Sequence, residues 1–205
     1  MSTSLKNKTN KPLLVGITGG IGSGKSTISK IFMSLGIPVF NSDAVAKNSI
    51  NTDKEVINQI TKQFGAIYID GKIDAVKLAQ FVFNDKNALD KLNQIVHPKV
   101  RDAFKSWVDE NSSSPLLIQE AAILIESGAY KNLDKIILVI APIEERIRRV
   151  AKRDRISPTQ VKERIKMQIS DQEKLKYSNF CITNDGKQLV IPQVIKIVEQ
   201  LKSLN

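Results

Sequence analysis

One octapeptide limits this chain more than any other feature: Gly19, four intervening residues, then Gly24, Lys25 and Ser26, inside the stretch GITGGIGSGKST at 16–27. An apolar run, LLVGIT at 13–18, precedes it. Behind it Ile28, Ile31, Phe32 and Leu35 recur at helical spacing, with Gly36 as a stop. Strand, glycine loop and helix in that order form a cradle for phosphate, because glycines let backbone N–H groups turn inward and the helix start adds a favourable field. The reading places Gly20, Ile21, Gly22, Ser23, Gly24, Lys25, Ser26 and Thr27 around the phosphates of a nucleotide. Lys25 reaches the outer two, and the Ser26 hydroxyl is an oxygen ligand for Mg2+. A glycine-rich turn without a ligand is the plain alternative.

IPVFN at 37–41 reads as the second strand of a parallel β-α-β unit, with Asp43 just past its carboxyl end, the edge that faces ligand in such sheets. PLLIQE at 115–120, KIILVIA at 135–141 and FCIT at 180–183 have the same buried-strand pattern, and a helix to Leu201 follows the last. Residues 53–110 show helical patterns instead: Val56, Ile57, Ile60 and Phe64; Val76, Ala79 and Val82 or Phe83; Leu89, Leu92 and Val96. The expected fold is α/β of the P-loop NTPase type, with about five parallel strands flanked by helices. Residues 1–11 are expected as a mobile tail and 12–205 as one domain carrying a helical insert at about 53–110.

Thirty-one Lys and Arg against 21 acids give a net charge of +10, and 144–166 alone holds nine basic residues and four acids. This segment, within a helical lid expected over about 143–178, suits a small polyanion. With 5% aromatics and no stacking pattern, nucleic acid is not the expected partner. The apolar run at 136–143 is broken by Pro142 and falls far short of the ~20 residues of a membrane span. Cys181 is the single cysteine, so an internal disulfide, a cysteine cluster for zinc and a redox pair are all excluded, which fits a cytoplasmic setting. A monomer or small homo-oligomer is expected.

A bound triphosphate suits a switch, a motor or a kinase. The Asn-Lys-x-Asp element of GTP-binding switches does not occur in the chain. Asp43 suits a kinase base that orients an acceptor hydroxyl and takes its proton as the new bond forms. It equally suits the cap of the following helix. Arg146, Arg149 and Arg153, at i, i+3 and i+7, share one side of a helix whose other side presents Ile143, Ile147 and Val150. They converge on phosphate, or they form a solvated face paired with Glu144, Glu145 and Asp154. Met167 and Trp107 read as packing.

GITGGIGSGKST, LGIPVFNSDAVAK, HPKVR, ILIESG, KRDRIS with RIKMQ, and ITNDG, in this order, resemble the dephospho-CoA kinase family along nearly the whole chain. The resemblance implies transfer of the γ-phosphate of ATP to the ribose 3′-hydroxyl of dephospho-CoA, with Mg2+, by a P-loop core, a helical domain for the acceptor and a lid. It makes Asp43 the base, with Asn41 where the family has a first acid. His97, Arg101 and Glu126 fall on the acceptor side, with Ala122 in place of a family proline. His97 in isolation, a lone histidine before proline, reads as a helix-start residue. Arg149 or Arg153 acts on the phosphoryl group, Arg153 together with Asn184 and Gly186 lies on the ATP side, and Arg164 and Gln168 match the family's lid spacing. Glu120 is the candidate acid supporting Mg2+ through water, or a surface or capping residue. Another small-molecule kinase, a nucleic-acid-dependent ATPase and an idle nucleotide-binding module are the competing readings.

Overall fold

The computed structural model describes residues 11–83 and 85–204, the side chain of residue 83 excepted, so the tail expected at the amino end lies outside the described residues but for Lys11. By its internal contacts the chain divides into two compact units, 1–40 with 111–205, and 41–110.

The first unit is built on the glycine loop. Strand β1 (Leu13–Thr18) enters it and helix α1 (Lys25–Ser34) leaves it. The remaining strands of the sheet are β2 (Val39–Asn41), β5 (Leu116–Glu120), β6 (Lys135–Ile140) and β7 (Phe180–Thr183), in the spatial order β2-β5-β1-β6-β7. Parallel pairing sets Ile17 opposite Glu120 on one side and Ile137 on the other, and Val139 opposite Ile182. Such a sheet has both faces covered, which is why its strands read as unbroken apolar runs. On one face Val15, Ile17, Ile118, Ile137, Val139 and Ile182 pack with Ile28 and Phe32 of α1 and with Val194, Ile197 and Leu201 of α9 (Val190–Lys202). On the other, Ala121, Leu124, Ile125 and Ile136 form a second cluster with Leu133 and Tyr130. Gly16 belongs to that face: a Cβ there would stand 2.5 Å from Leu124 and 2.8 Å from Leu133, so the residue is small for packing reasons. Leu35, expected on the buried stripe of α1, is 46% exposed because the helix has already ended beneath it.

Three short helices follow β6: α6 (Ile143–Asp154), α7 (Pro158–Lys166) and α8 (Asp171–Leu175). Ser157 opens α7 with a reciprocal capping box to Gln160, and Pro158 takes the first helical position, where its missing N–H costs nothing.

The second unit holds α2 (Ser42–Thr52), α3 (Lys54–Phe64), α4 (Ala75–Phe83) and α5 (Lys86–Glu110). Val56, Ile60, Phe64, Leu92, Val96 and Val100 form its buried apolar positions together with Ile67. Asp53 caps α3 by accepting from the amides of Glu55 and Val56, and Lys99 of α5 pairs with it at 3.4 Å. Two expectations fail here. Val76, assigned to a buried stripe, is 68% exposed, because α4 turns Leu78, Ala79 and Val82 inward instead. The unit is not all helical: β3 (Tyr68–Ile69) and β4 (Lys72–Ile73) form an antiparallel hairpin around Asp70 and Gly71, both at positive φ. An Asp-Gly pair between short apolar runs is a hairpin signal that helical periodicity obscures.

Candidate active site

The glycine loop folds as its composition demands. Gly19, Gly22 and Gly24 have φ of +155°, +78° and +97°, and Gly24 stands at the amino end of α1 in the left-handed region. The Ser23 amide donates to the Gly20 carbonyl at 3.1 Å and closes the turn. Lys25 is 8% exposed and folds back over the loop, its ammonium donating to the Gly19 carbonyl at 2.8 Å and to that of Gly20 at 3.4 Å. Those carbonyls occupy donors that a phosphate oxygen would otherwise receive. Ser26 donates its hydroxyl to Glu120 Oε1 at 2.8 Å, and Glu120, at the carboxyl end of β5, is 3% exposed. A hydroxyl from the first turn of α1 and a carboxylate from the end of β5 thus meet at the carboxyl edge of the sheet, where ligands bind in such folds.

Helix α6 closes on this loop with a face different from the one expected. Arg146 is 6% exposed, donates through Nε to the Ile21 carbonyl at 3.0 Å and pairs with Asp171 at 3.1 Å. Val150, one turn later and fully buried, lies on the same side, against Gly22. Arg149 donates to the Asn184 carbonyl at 3.1 Å and to that of Gly22 at 3.5 Å. Arg153 does not join them. It pairs with Asp154 at 2.7 Å, and Arg164 reaches the same carboxylate at 2.8 Å. The Arg153 guanidinium, first, and Arg164 hold the Asp154 carboxyl below its ordinary range. The residues share a face at i, i+3, i+4 rather than i, i+3, i+7, because burial of Val150 fixes the rotation of the helix.

Several loop glycines are small on account of these side chains. A Cβ on Gly20 would fall 1.9 Å from an Arg146 nitrogen, and one on Gly24 would fall 2.1 Å from Asn184 Nδ2. Asn184, following β7, donates that amide to the Ser23 carbonyl at 2.8 Å. Gly186 has φ +79° in the turn where Asp185 accepts the amides of Lys187 and Gln188, which lowers the Asp185 pKa. Gln168 accepts the Ile21 amide at 2.7 Å. The backbone of Ile21 is therefore engaged twice, its N–H by Gln168 and its carbonyl by Arg146, a pairing that residue spacing did not reveal. Thr27 donates its amide to the Gly24 carbonyl at 3.0 Å within the first turn of α1.

Glu126, expected on the acceptor side, has one carboxylate oxygen 2.9 Å from the ammonium of Lys174. Lys174 is fully buried and had no place in the sequence reading, since a lysine in a short polar helix reads as surface. Met167, expected to pack, is 47% exposed, while Trp107 stacks on Phe104 at 6.1 Å.

In the helical unit, the α2 cap is Asn41, not Asp43: Asn41 Oδ1 accepts the Ala44 amide at 2.8 Å, and Asp43 stands in the first helical turn, where a negative charge is favoured. Asparagine caps a helix as well as aspartate does, so the exchange at 41 keeps this local role. His97 is not a helix-start residue either. It lies inside the 25-residue α5, immediately before Pro98, with Arg101 one turn on. Burial, first, and the Arg101 charge lower the His97 pKa from 6.5, so the ring is neutral near pH 7.

Comparison with known proteins agrees with this architecture. The sequence profile of the dephospho-CoA kinase family matches residues 13–189. A dephospho-CoA kinase of Bacteroides fragilis is 37% identical over 185 residues, 90% of each chain, and one of Aquifex aeolicus is 37% identical over 91% of this chain and 96% of its own. A crystal structure from Thermus thermophilus superposes with a TM-score of 0.83 at 33% identity, covering 93% of this chain and 97% of that one. Shikimate kinase from Acinetobacter baumannii, at 15% identity and a TM-score of 0.52 over 96% of both chains, shares the P-loop kinase fold alone. Match and coverage agree, and the chain belongs to the dephospho-CoA kinase family.

Proposed function

We infer that this kinase transfers the γ-phosphate of ATP to the ribose 3′-hydroxyl of dephospho-CoA, the last step of coenzyme A biosynthesis. The observation that carries the reading is the complete phosphate loop, with Lys25 and the Ser26–Glu120 pair in place, inside a family match that runs over residues 13–189. The acceptor oxygen attacks the γ-phosphorus, the bond to the β,γ-bridging oxygen breaks, ADP leaves and the hydroxyl proton passes to a carboxylate. That carboxylate is Asp43, which orients the hydroxyl and takes its proton as the bond to phosphorus forms, since a carboxylate is too weak to ionise an alcohol beforehand.

Lys25 leaves the Gly19 and Gly20 carbonyls for the phosphate oxygens, and Arg149 neutralises the charge on the group in transfer. Arg153, Asn184 and Gly186 serve the ATP side, Arg153 after exchanging Asp154 for phosphate. His97 and Arg101 serve the acceptor. Among the described residues no group of three or more His, Cys, Asp or Glu side chains gathers as a metal site. Ser26 and Glu120 carry the oxygen donors that Mg2+ favours and are the residues that would hold it, directly or through water. A Mg2+ ion held there would supply positive charge to the outer phosphates. Among the described residues no helix is long and apolar enough to cross a membrane, and the proposed setting is the cytoplasm.

The test is a coupled assay with ATP, Mg2+ and dephospho-CoA, the position of the new phosphate read by NMR and a panel of nucleosides run beside it. Transfer to the 3′-hydroxyl supports the reading. Transfer to a nucleoside only, or ATP hydrolysis stimulated by polynucleotide without transfer, refutes it. Asp43→Asn is expected to lower kcat by about 10²-fold or more while ATP affinity stays within about twofold.

A further inference from the structure

Lys174 is a costly side chain to bury. It is 0% exposed, and an ammonium taken out of water is expensive even when paired, whereas an apolar side chain of similar volume would fill the same space without that penalty. Its Nζ lies 2.9 Å from Glu126 Oε1 and donates to the Ala122 carbonyl at 3.1 Å. Both partners belong to one short segment, 122–126, which begins two residues after Glu120, the acceptor of the Ser26 hydroxyl. The Ala122 carbonyl also accepts from Thr18 Oγ1 at 3.5 Å, and Thr18 is the last residue of β1 before the phosphate loop.

The helix that carries Lys174 holds the loop a second time. Asp171, three residues earlier on α8, pairs with Arg146 at 3.1 Å, and Arg146 Nε donates to the Ile21 carbonyl at 3.0 Å. A five-residue helix therefore grips the phosphate loop through Asp171 and Arg146, and the segment beyond β5 through Lys174. Burial of a charge at the second grip gives it a fixed direction and two acceptors at once, which an apolar contact would not.

Resting on the kinase reading above, we propose that Lys174 is a positioning residue for phosphoryl transfer: it holds Glu126 and the Ala122 carbonyl, and thereby sets segment 122–126 relative to the phosphate loop. Glu126 then acts through the shape of that segment and does not touch the acceptor.

Steady-state transfer to dephospho-CoA and the thermal midpoint are measured for the native protein, Lys174→Met, Lys174→Arg, Glu126→Gln and the double variant Lys174→Met/Glu126→Gln. Lys174→Met leaves a carboxylate without its cation and is expected to lose both midpoint and rate. The double variant, with no uncompensated charge, is expected to regain most of the midpoint, while kcat stays about tenfold to a hundredfold down and the KM for ATP moves by less than about threefold. Lys174→Arg keeps the cation and is expected to recover part of kcat. A double variant that folds and turns over at the native rate overturns the proposal, because the pair is then only a packing device. Glu126→Gln removes the anion opposite the buried ammonium but keeps an oxygen acceptor of the same size for it, and decides the matter if the lysine variants do not fold: a lowered kcat supports the proposal, whereas a native kcat, or a change confined to the KM for dephospho-CoA, overturns it. Native protein that binds ATP and leaves dephospho-CoA unmodified overturns the kinase reading and this proposal with it, an outcome distinct from active native protein with unaffected variants.

Discussion

The side-chain amide of Asn184 donates to the Ser23 carbonyl at 2.8 Å, joining the turn after β7 to the phosphate loop across 161 residues of chain. Gly24 lies directly beneath that amide. A Cβ there would meet Nδ2 at 2.1 Å on a backbone with φ +97°. Gly24→Ala therefore combines backbone strain of about 1–3 kcal/mol with displacement of Asn184. The expected result is a loss of ATP affinity of more than about tenfold, read by titration with a fluorescent ATP analogue; native affinity in the variant would contradict this account of the glycine.

Glu120 receives the Ser26 hydroxyl at 2.8 Å while nearly excluded from water. Glu120→Gln keeps an oxygen acceptor and removes the charge, so folding is expected to survive. If the carboxylate supports the metal through water, the Mg2+ concentration for half-maximal transfer rises by about tenfold or more. An unchanged Mg2+ titration would assign Glu120 to structure alone.

Arg149 and Arg148 are neighbours on α6 that share the Glu145 carboxylate and differ beyond it. Arg149 reaches the Gly22 and Asn184 carbonyls, whereas the Arg148 side chain is 67% exposed and pairs with Glu145. Arg149→Ala is expected to lower kcat by about 10³-fold, and Arg148→Ala to change it by less than about twofold. Equal losses in both variants would show that general basicity of the helix, not a placed guanidinium, supports transfer.

The neutral His97 ties stability to pH. Because its folded pKa lies below 6.5, the unfolded chain takes up a proton before the folded chain does, so stability falls as pH drops from about 6.5 toward the folded value and is unaffected by this group above it. The carboxyls of Asp53, Asp154 and Asp185 are lowered from 3.8, chiefly by the Val56 amide, by Arg153 and by the Gln188 amide. Their contribution is present above that value and is lost only in stronger acid. Thermal midpoints of the native protein are therefore expected to fall between pH 6.5 and 5, and those of His97→Gln to stay flatter over that interval. Parallel profiles would place the titration elsewhere.

Periodicity and composition sufficed for the sheet, the glycine loop and the apolar faces of α1, α3 and α5, because burial of a strand or of a helix stripe is written in the local spacing of side chains. The Asp70–Gly71 hairpin was equally legible and was obscured only by the helical patterns around it. Partner choice was not legible. That Asn41 rather than Asp43 caps α2, that Arg146 reaches Ile21 while Arg153 turns to Asp154, and that Lys174 is sealed against Glu126 all depend on which groups meet after the chain has folded. A charged side chain in a helix has the same spacing whether it ends in water or on a carboxylate from a distant segment. The free energy that separates the two outcomes comes from desolvation and from the position of the partner, and neither exists until distant segments are brought together.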